Sequence, residues 1–281
     1  MDPRLTAVRA GLAHGRIEFR HNAGQVFNYV LFPIISLALL HFVTDRVVSD
    51  TDVSIATWAI PGVLAMNIVF TGLIGLAMTL IMERDDGTLL RAKATPNGVL
   101  GYLVGKVVSQ AAMSIAAMLI VLIPAGLLFD GLQLGSAAAW LTLACVLVLG
   151  MSAVLPLGAI LGSLFTNPRN FRPVTLLFMV VVGISGVFYP LSALPLWVQW
   201  IGQAFPLYWI ALGMRSAMLP DPVSQAEVAS SWQHMETFGV LGAWTVIGFV
   251  VAPVVLRRMA RRASGNRVAS QGATTMQSAV R

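Results

Sequence analysis

The stretch MERDDGTLLRAKATPNGVLGYLVGK, residues 82–106, is a charged island in an apolar chain. It carries seven of the thirty formal charges, on Glu83, Arg84, Asp85, Asp86, Arg91, Lys93 and Lys106, while residues 53–82 and 107–129 carry none. Within it Thr88 can cap a turn after Gly87, Leu89 and Leu90 form an apolar ridge, Arg91 and Lys93 suit a helix C-terminus, and Pro96 stops propagation. A helix of about two turns is unstable alone in water, so the island is expected to fold against a water-soluble partner or the membrane face.

Working outward, the chain is 57% apolar and 11% charged, with mean hydropathy +0.79. Soluble domains carry about 25% charged residues, so these values indicate a polytopic membrane protein. Uncharged runs at 21–44, 53–82, 107–129, 131–168, 173–214 and 237–256 each reach the roughly 20 residues that a spanning helix needs. The fold expected is all-α, with six transmembrane helices.

The net charge of +6 could suggest nucleic acid, but its distribution excludes that reading. With the N-terminus, the island, the loop at 165–172 and the tail on one side, 16 of 18 Lys and Arg lie there, and only Arg46 and Arg215 lie opposite. That is the positive-inside pattern, and it places the island and both termini in the cytoplasm.

Residues 1–25 read as an amphipathic interface helix, with Leu5, Val8, Leu12 and Phe19 in one arc and Arg9, Arg16 and Arg20 beside it; a basic arm that only fixes topology is the alternative. Residues 26–256 form the transmembrane body, with spans expected over about 26–43, 57–81, 102–129, 137–165, 174–189 and 238–256. Asn67 in the second span serves either helix contact or the substrate pathway, and Gly158 with Gly162 in the fourth has close-packing spacing.

The run 173–214 could cross twice, but a seventh span would put the basic tail outside. It therefore crosses once and continues as a re-entrant outer segment, 190–217, cut by Pro190, Pro195 and Pro206 into pieces too short to span. Trp197, Trp200, Tyr208 and Trp209 suit an outer interface. Residues 257–281 read as a basic, disordered tail.

No constellation for chemistry is visible. His14, His21, His41 and His234 lack ligand spacing, so no metal site is expected, and the single cysteine, Cys145, reads as a buried inert thiol. Gly105–Lys106 lacks the first glycine and the Ser/Thr of a P-loop. Every Asp and Glu falls in a loop, which disfavours an ion-coupled carrier.

Three features resemble one family. ERDDGTLLRAKATP, 83–96, is similar to the E-R-x-x-G-T-L…A-T-P coupling segment of type-2 ABC exporter permeases. VFYPLSALPLWVQWIGQAFPLYW, 187–209, is similar to the segment before their last span, and the order of spans is shared. Within the family the chain is similar to daunorubicin-resistance-type permeases of the multidrug and antibiotic-resistance group.

The resemblance implies a separate ABC ATPase subunit that uses ATP and Mg, a second permease subunit forming a homodimer, lipid around the body, and a location in the cell membrane. It implies no catalytic residue and no cofactor on this chain. Carried over by position, Glu83, Arg84, Gly87, Thr88, Leu89, Thr95 and Pro96 match the segment that docks in the ATPase. Arg91 joins them by its charge, while Ala92 stands where a larger apolar residue is expected. Tyr189, Pro190, Pro195, Trp197 and Pro206 would form the outer re-entrant gate. The implied activity is export of a drug-like, lipid or lipid-linked substrate. Polysaccharide or glycolipid export by the same family, a non-transport scaffold and a membrane-embedded enzyme are the alternatives.

Overall fold

A computed structural model of the chain describes residues 31, 34–42, 53–85, 98–129 and 131–255. The regular elements among these are helices. The expected interface helix at 1–25, eight of the eighteen residues of the first span, residues 86–97 of the charged island and the tail lie outside the described residues.

Ser54 starts the first long helix by accepting the Thr57 N–H at 3.0 Å, a side-chain N-cap. This α1, Ile55–Val69, continues through a π-helical stretch, Phe70–Gly75, into α2, Leu76–Asp85. Next come α3, Gly98–Leu128, and α4, Ala137–Leu164, the latter capped by Ser136. A 3-10 turn at Pro168–Phe171 leads into α5, Arg172–Ile184; α6, Leu196–Ala204, and α7, Pro206–Met218, follow. The last is α8, His234–Val255.

Four helices among the described residues are long and apolar enough to cross a membrane: Ile55–Glu83, Val104–Leu128, Ala137–Leu164 and His234–Val255. The chain is thus a helical membrane protein. The segment expected to form the fifth span behaves differently, because α5 has 13 residues and reaches about 20 Å, short of the roughly 30 Å of hydrocarbon. It ends where Gly186 takes φ +62, the left-handed conformation that terminates helices.

Glycines set the packing. A Cβ at Gly158 would lie 2.3 Å from the Gly72 carbonyl oxygen, and one at Gly162 would lie 2.8 Å from that of Ala77. The two small residues of α4 therefore let its backbone meet the π-helical stretch and α2 directly. Gly150 admits Ile210 and Gly213 admits Val146 in the same way, seating α7 on α4.

The region expected to be an outer interface is partly a core. Tyr208 and Trp209 lie on α7, which packs between α1 and α4 with every residue but Ser216 buried. Trp197 and Trp200, 64% and 68% exposed on α6, do face outward. Cys145 is exposed on α4, not buried. Both differences have one cause: a helix in lipid is apolar on its inner and outer faces alike, so composition does not mark the face that packs.

Candidate functional site

Two polar nodes sit at opposite ends of the bundle. At one end α2 stops, α3 starts, and the 3-10 turn Pro168–Phe171 packs against α2. Here Glu83 meets two donors from α3: Tyr102 Oη donates to Glu83 Oε2 and Lys106 Nζ to Oε1. Tyr102 and Lys106 are four residues apart and therefore share one helix face. The ammonium also lies 5.8 Å from the centroid of the Tyr102 ring. Lys106 is 3% exposed and Glu83 21%, so the pair is largely withdrawn from water, where a lone ammonium would be costly.

At the other end Arg215, on the last turn of α7, is fully buried. Its Nη1 donates to Glu227 Oε1 at 2.8 Å, and Nη2 donates to the Gly186 and Val187 carbonyls. Its Cζ lies 4.8 Å from the Trp58 ring centroid, within cation–π range. One guanidinium thus joins the start of α1, the chain just past the end of α5, α7 and the loop that follows α7. The carbonyls that accept from it follow the C-terminus of α5, where a cation is favoured. The Val187 carbonyl oxygen would lie 2.0 Å from a Cβ at Gly62; only glycine lets the unwound chain lie against α1 there.

Between the nodes, the π-helical stretch faces polar groups of α3. Gln110 Nε2 lies 3.4 Å from the Thr71 carbonyl oxygen, a long hydrogen bond. Thr71 and Ser114 are fully buried, and their hydroxyls have no partner among the described residues. Asn67, one turn from Thr71, is 4% exposed. π-helical turns of this kind recur at functional sites.

The expected coupling residues divide accordingly. Glu83 is described and is bonded inward to α3, Arg84 lies in the last turn of α2, and Gly87, Thr88, Leu89, Arg91, Thr95 and Pro96 lie outside the described residues. Of the expected gate residues, Tyr189 donates its hydroxyl to the Gly183 carbonyl, Pro190 and Pro195 precede short helices, Trp197 is exposed, and Pro206 opens α7. Sequence reasoning assigned no role to Tyr102, Lys106, Arg215 or Glu227. The available signals were the i, i+4 spacing of a phenol and an ammonium at the mouth of a span, and an arginine set in an otherwise apolar helix.

No match is found among curated proteins. Residues 24–254 match the family model described as ABC-2 family transporter protein. That match takes in three of the four long helices, all but the last residue of the fourth, and both polar nodes, so the chain belongs to the ABC-2 transporter family, the membrane permease side of an ABC transporter that works with an ABC ATPase subunit.

Proposed function

We propose that this permease exports an apolar or amphipathic substrate, drug-like, lipid or lipid-linked, as one half of a homodimer in the cell membrane. In this reading the body has six spans, the fifth made by the 13-residue α5 together with the irregular chain from Ser185 to Tyr189, with an N-terminal interface helix, an outer re-entrant segment at 190–217 and both termini cytoplasmic. ATP and Mg are used by a separate ATPase subunit, and this chain contributes no catalytic group. Glu83, Arg84, Gly87, Thr88, Leu89, Arg91, Thr95 and Pro96 belong to the segment that receives the push of the ATPase. Tyr189, Pro190, Pro195, Trp197 and Pro206 belong to the outer gate, and Asn67 is placed on the substrate pathway.

The observation that carries this reading is the continuity of helix across the bundle. Ile55–Glu83 is apolar and 29 residues long, roughly 44 Å, and residues 86–97 join it to α3. A force on that connection acts on two long helices at once. Thr71 and Gln110 meet between those helices, and the buried Asn67 and Ser114 lie one turn from them along the two helices, which suits a pathway for an amphipathic cargo.

The experiment is co-expression with the candidate ABC ATPase subunit, followed by purification through a tag on this chain. The ATPase should co-purify, and its ATP hydrolysis should depend on the permease. Gly87→Val and Arg91→Glu should lose that dependence while inserting normally in the membrane. Full permease-dependent hydrolysis in both variants would refute the assignment of the coupling segment.

A further inference from the structure

We propose that Lys106 and Tyr102 are positioning residues, which hold the Glu83 carboxylate so that the end of α2 and the start of α3 move as one body. Glu83 then acts by closing the base of the coupling segment, and not by touching the ATPase. The proposal rests on the reading of residues 82–101 as the segment that the ATPase pushes.

Four observations support it. Both Glu83 oxygens are engaged, one by the Tyr102 hydroxyl and one by the Lys106 ammonium. Lys106 is 3% exposed, so its charge needs a counter-charge inside the protein, and Glu83 supplies one. The flanking Met82 and Val107 are 56% and 43% exposed, so the outer surface beside the pair is apolar and the polar contact lies in the seam. Finally, among the described residues α2 packs mainly on α4, through Gly162, and has little packing contact with α3.

Among the described residues at this end, therefore, the pair and its tyrosine are a principal tie between the two helices that flank the coupling segment. Without such a tie, a push on the connection would bend one helix away from the other. With it, displacement of the connection carries both helices, and with α2 goes α4.

The test uses the permease with its ATPase in lipid nanodiscs, in a Cys145→Ala background. Spin labels on Met82→Cys and Val107→Cys report the distance across the seam. ATP hydrolysis that depends on the permease reports coupling. With Glu83 and Lys106 intact the distance distribution should be narrow.

Lys106→Met should lose the narrow distribution and lower permease-dependent hydrolysis on the order of tenfold, a typical coupling effect. The exchange Glu83→Lys with Lys106→Glu should restore both, because it rebuilds the ion pair with its sign reversed. Should Lys106→Met fail to fold, Tyr102→Phe removes one donor, keeps the charges, and should broaden the distribution part of the way.

An unchanged distribution in Lys106→Met and Tyr102→Phe overturns the proposal. So does an exchange variant as inactive as Glu83→Lys alone, the outcome that direct contact between Glu83 and the ATPase requires. Hydrolysis that never depends on the permease, even in the wild type, would instead sink the transport reading, and the distance measurement would still decide the clamp.

Discussion

Replacing Glu227 with alanine removes the only carboxylate bonded to Arg215 among the described residues and leaves a guanidinium that is fully buried. Breaking a buried pair from one side costs about 3–5 kcal/mol, because the surviving charge stays in a medium that solvates it poorly. Arg215 keeps the Gly186 and Val187 carbonyls and the Trp58 ring, and a cation–π contact is worth about 0.5–2 kcal/mol. The loss should therefore fall near the lower end, about 3 kcal/mol. At roughly 2–4 °C per kcal/mol for a chain of this size, the midpoint should drop by about 6–12 °C. The assay is thermal unfolding in detergent at one fixed scan rate, followed by tryptophan fluorescence, since membrane proteins often unfold irreversibly. The double replacement Arg215→Met with Glu227→Leu should recover most of the loss, because well-packed apolar residues can replace a buried pair at little cost. A single variant within about 2 °C of wild type, or a double variant no better than the single one, would refute the claim that this pair holds four segments together.

Gly158→Val should prevent close approach of α4 to the π-helical stretch at Gly72 and Leu73 and destabilise the protein by about 1–3 kcal/mol, whereas Gly242→Ala, with open space where its Cβ would go, should leave the midpoint unchanged or raise it slightly. Gly186→Ala must adopt φ near +62 and set its Cβ 2.9 Å from that of Leu191. The same unfolding assay should show a loss of at least about 1 kcal/mol.

Much of the architecture was legible in the chain. Uncharged runs located the long helices because lipid forbids unpaired charge and enforces length, and the Gly158–Gly162 spacing marked a close helix contact because small side chains are what permit it. What could not be read is which apolar surface faces inward. Cys145 proved exposed, and Tyr208 and Trp209 proved buried in α7, because lipid and protein interior are equally apolar to a side chain. The early end of α5 was not legible: Pro190 suggested a stop after residue 189, whereas the helix ends before Gly186, whose freed carbonyl accepts from Arg215. The polar nodes were illegible because their partners are distant in sequence. Glu83 and Lys106 lie 23 residues apart, and Arg215 and Gly186 29 residues apart. Lys106 at the mouth of a span and Arg215 in an apolar helix were visible, but nothing local names the partner of either.

The measurement that bears most directly on the account is site-directed labelling of Asp86→Cys and Arg91→Cys, in a Cys145→Ala background, with a membrane-impermeant maleimide applied to intact cells and to inside-out vesicles. Both positions should react in inside-out vesicles, fail to react in intact cells, and become protected when the ATPase subunit is added. Reaction in intact cells alone would place residues 82–101 on the outer face, beyond the reach of any ATPase, and would contradict the proposed coupling.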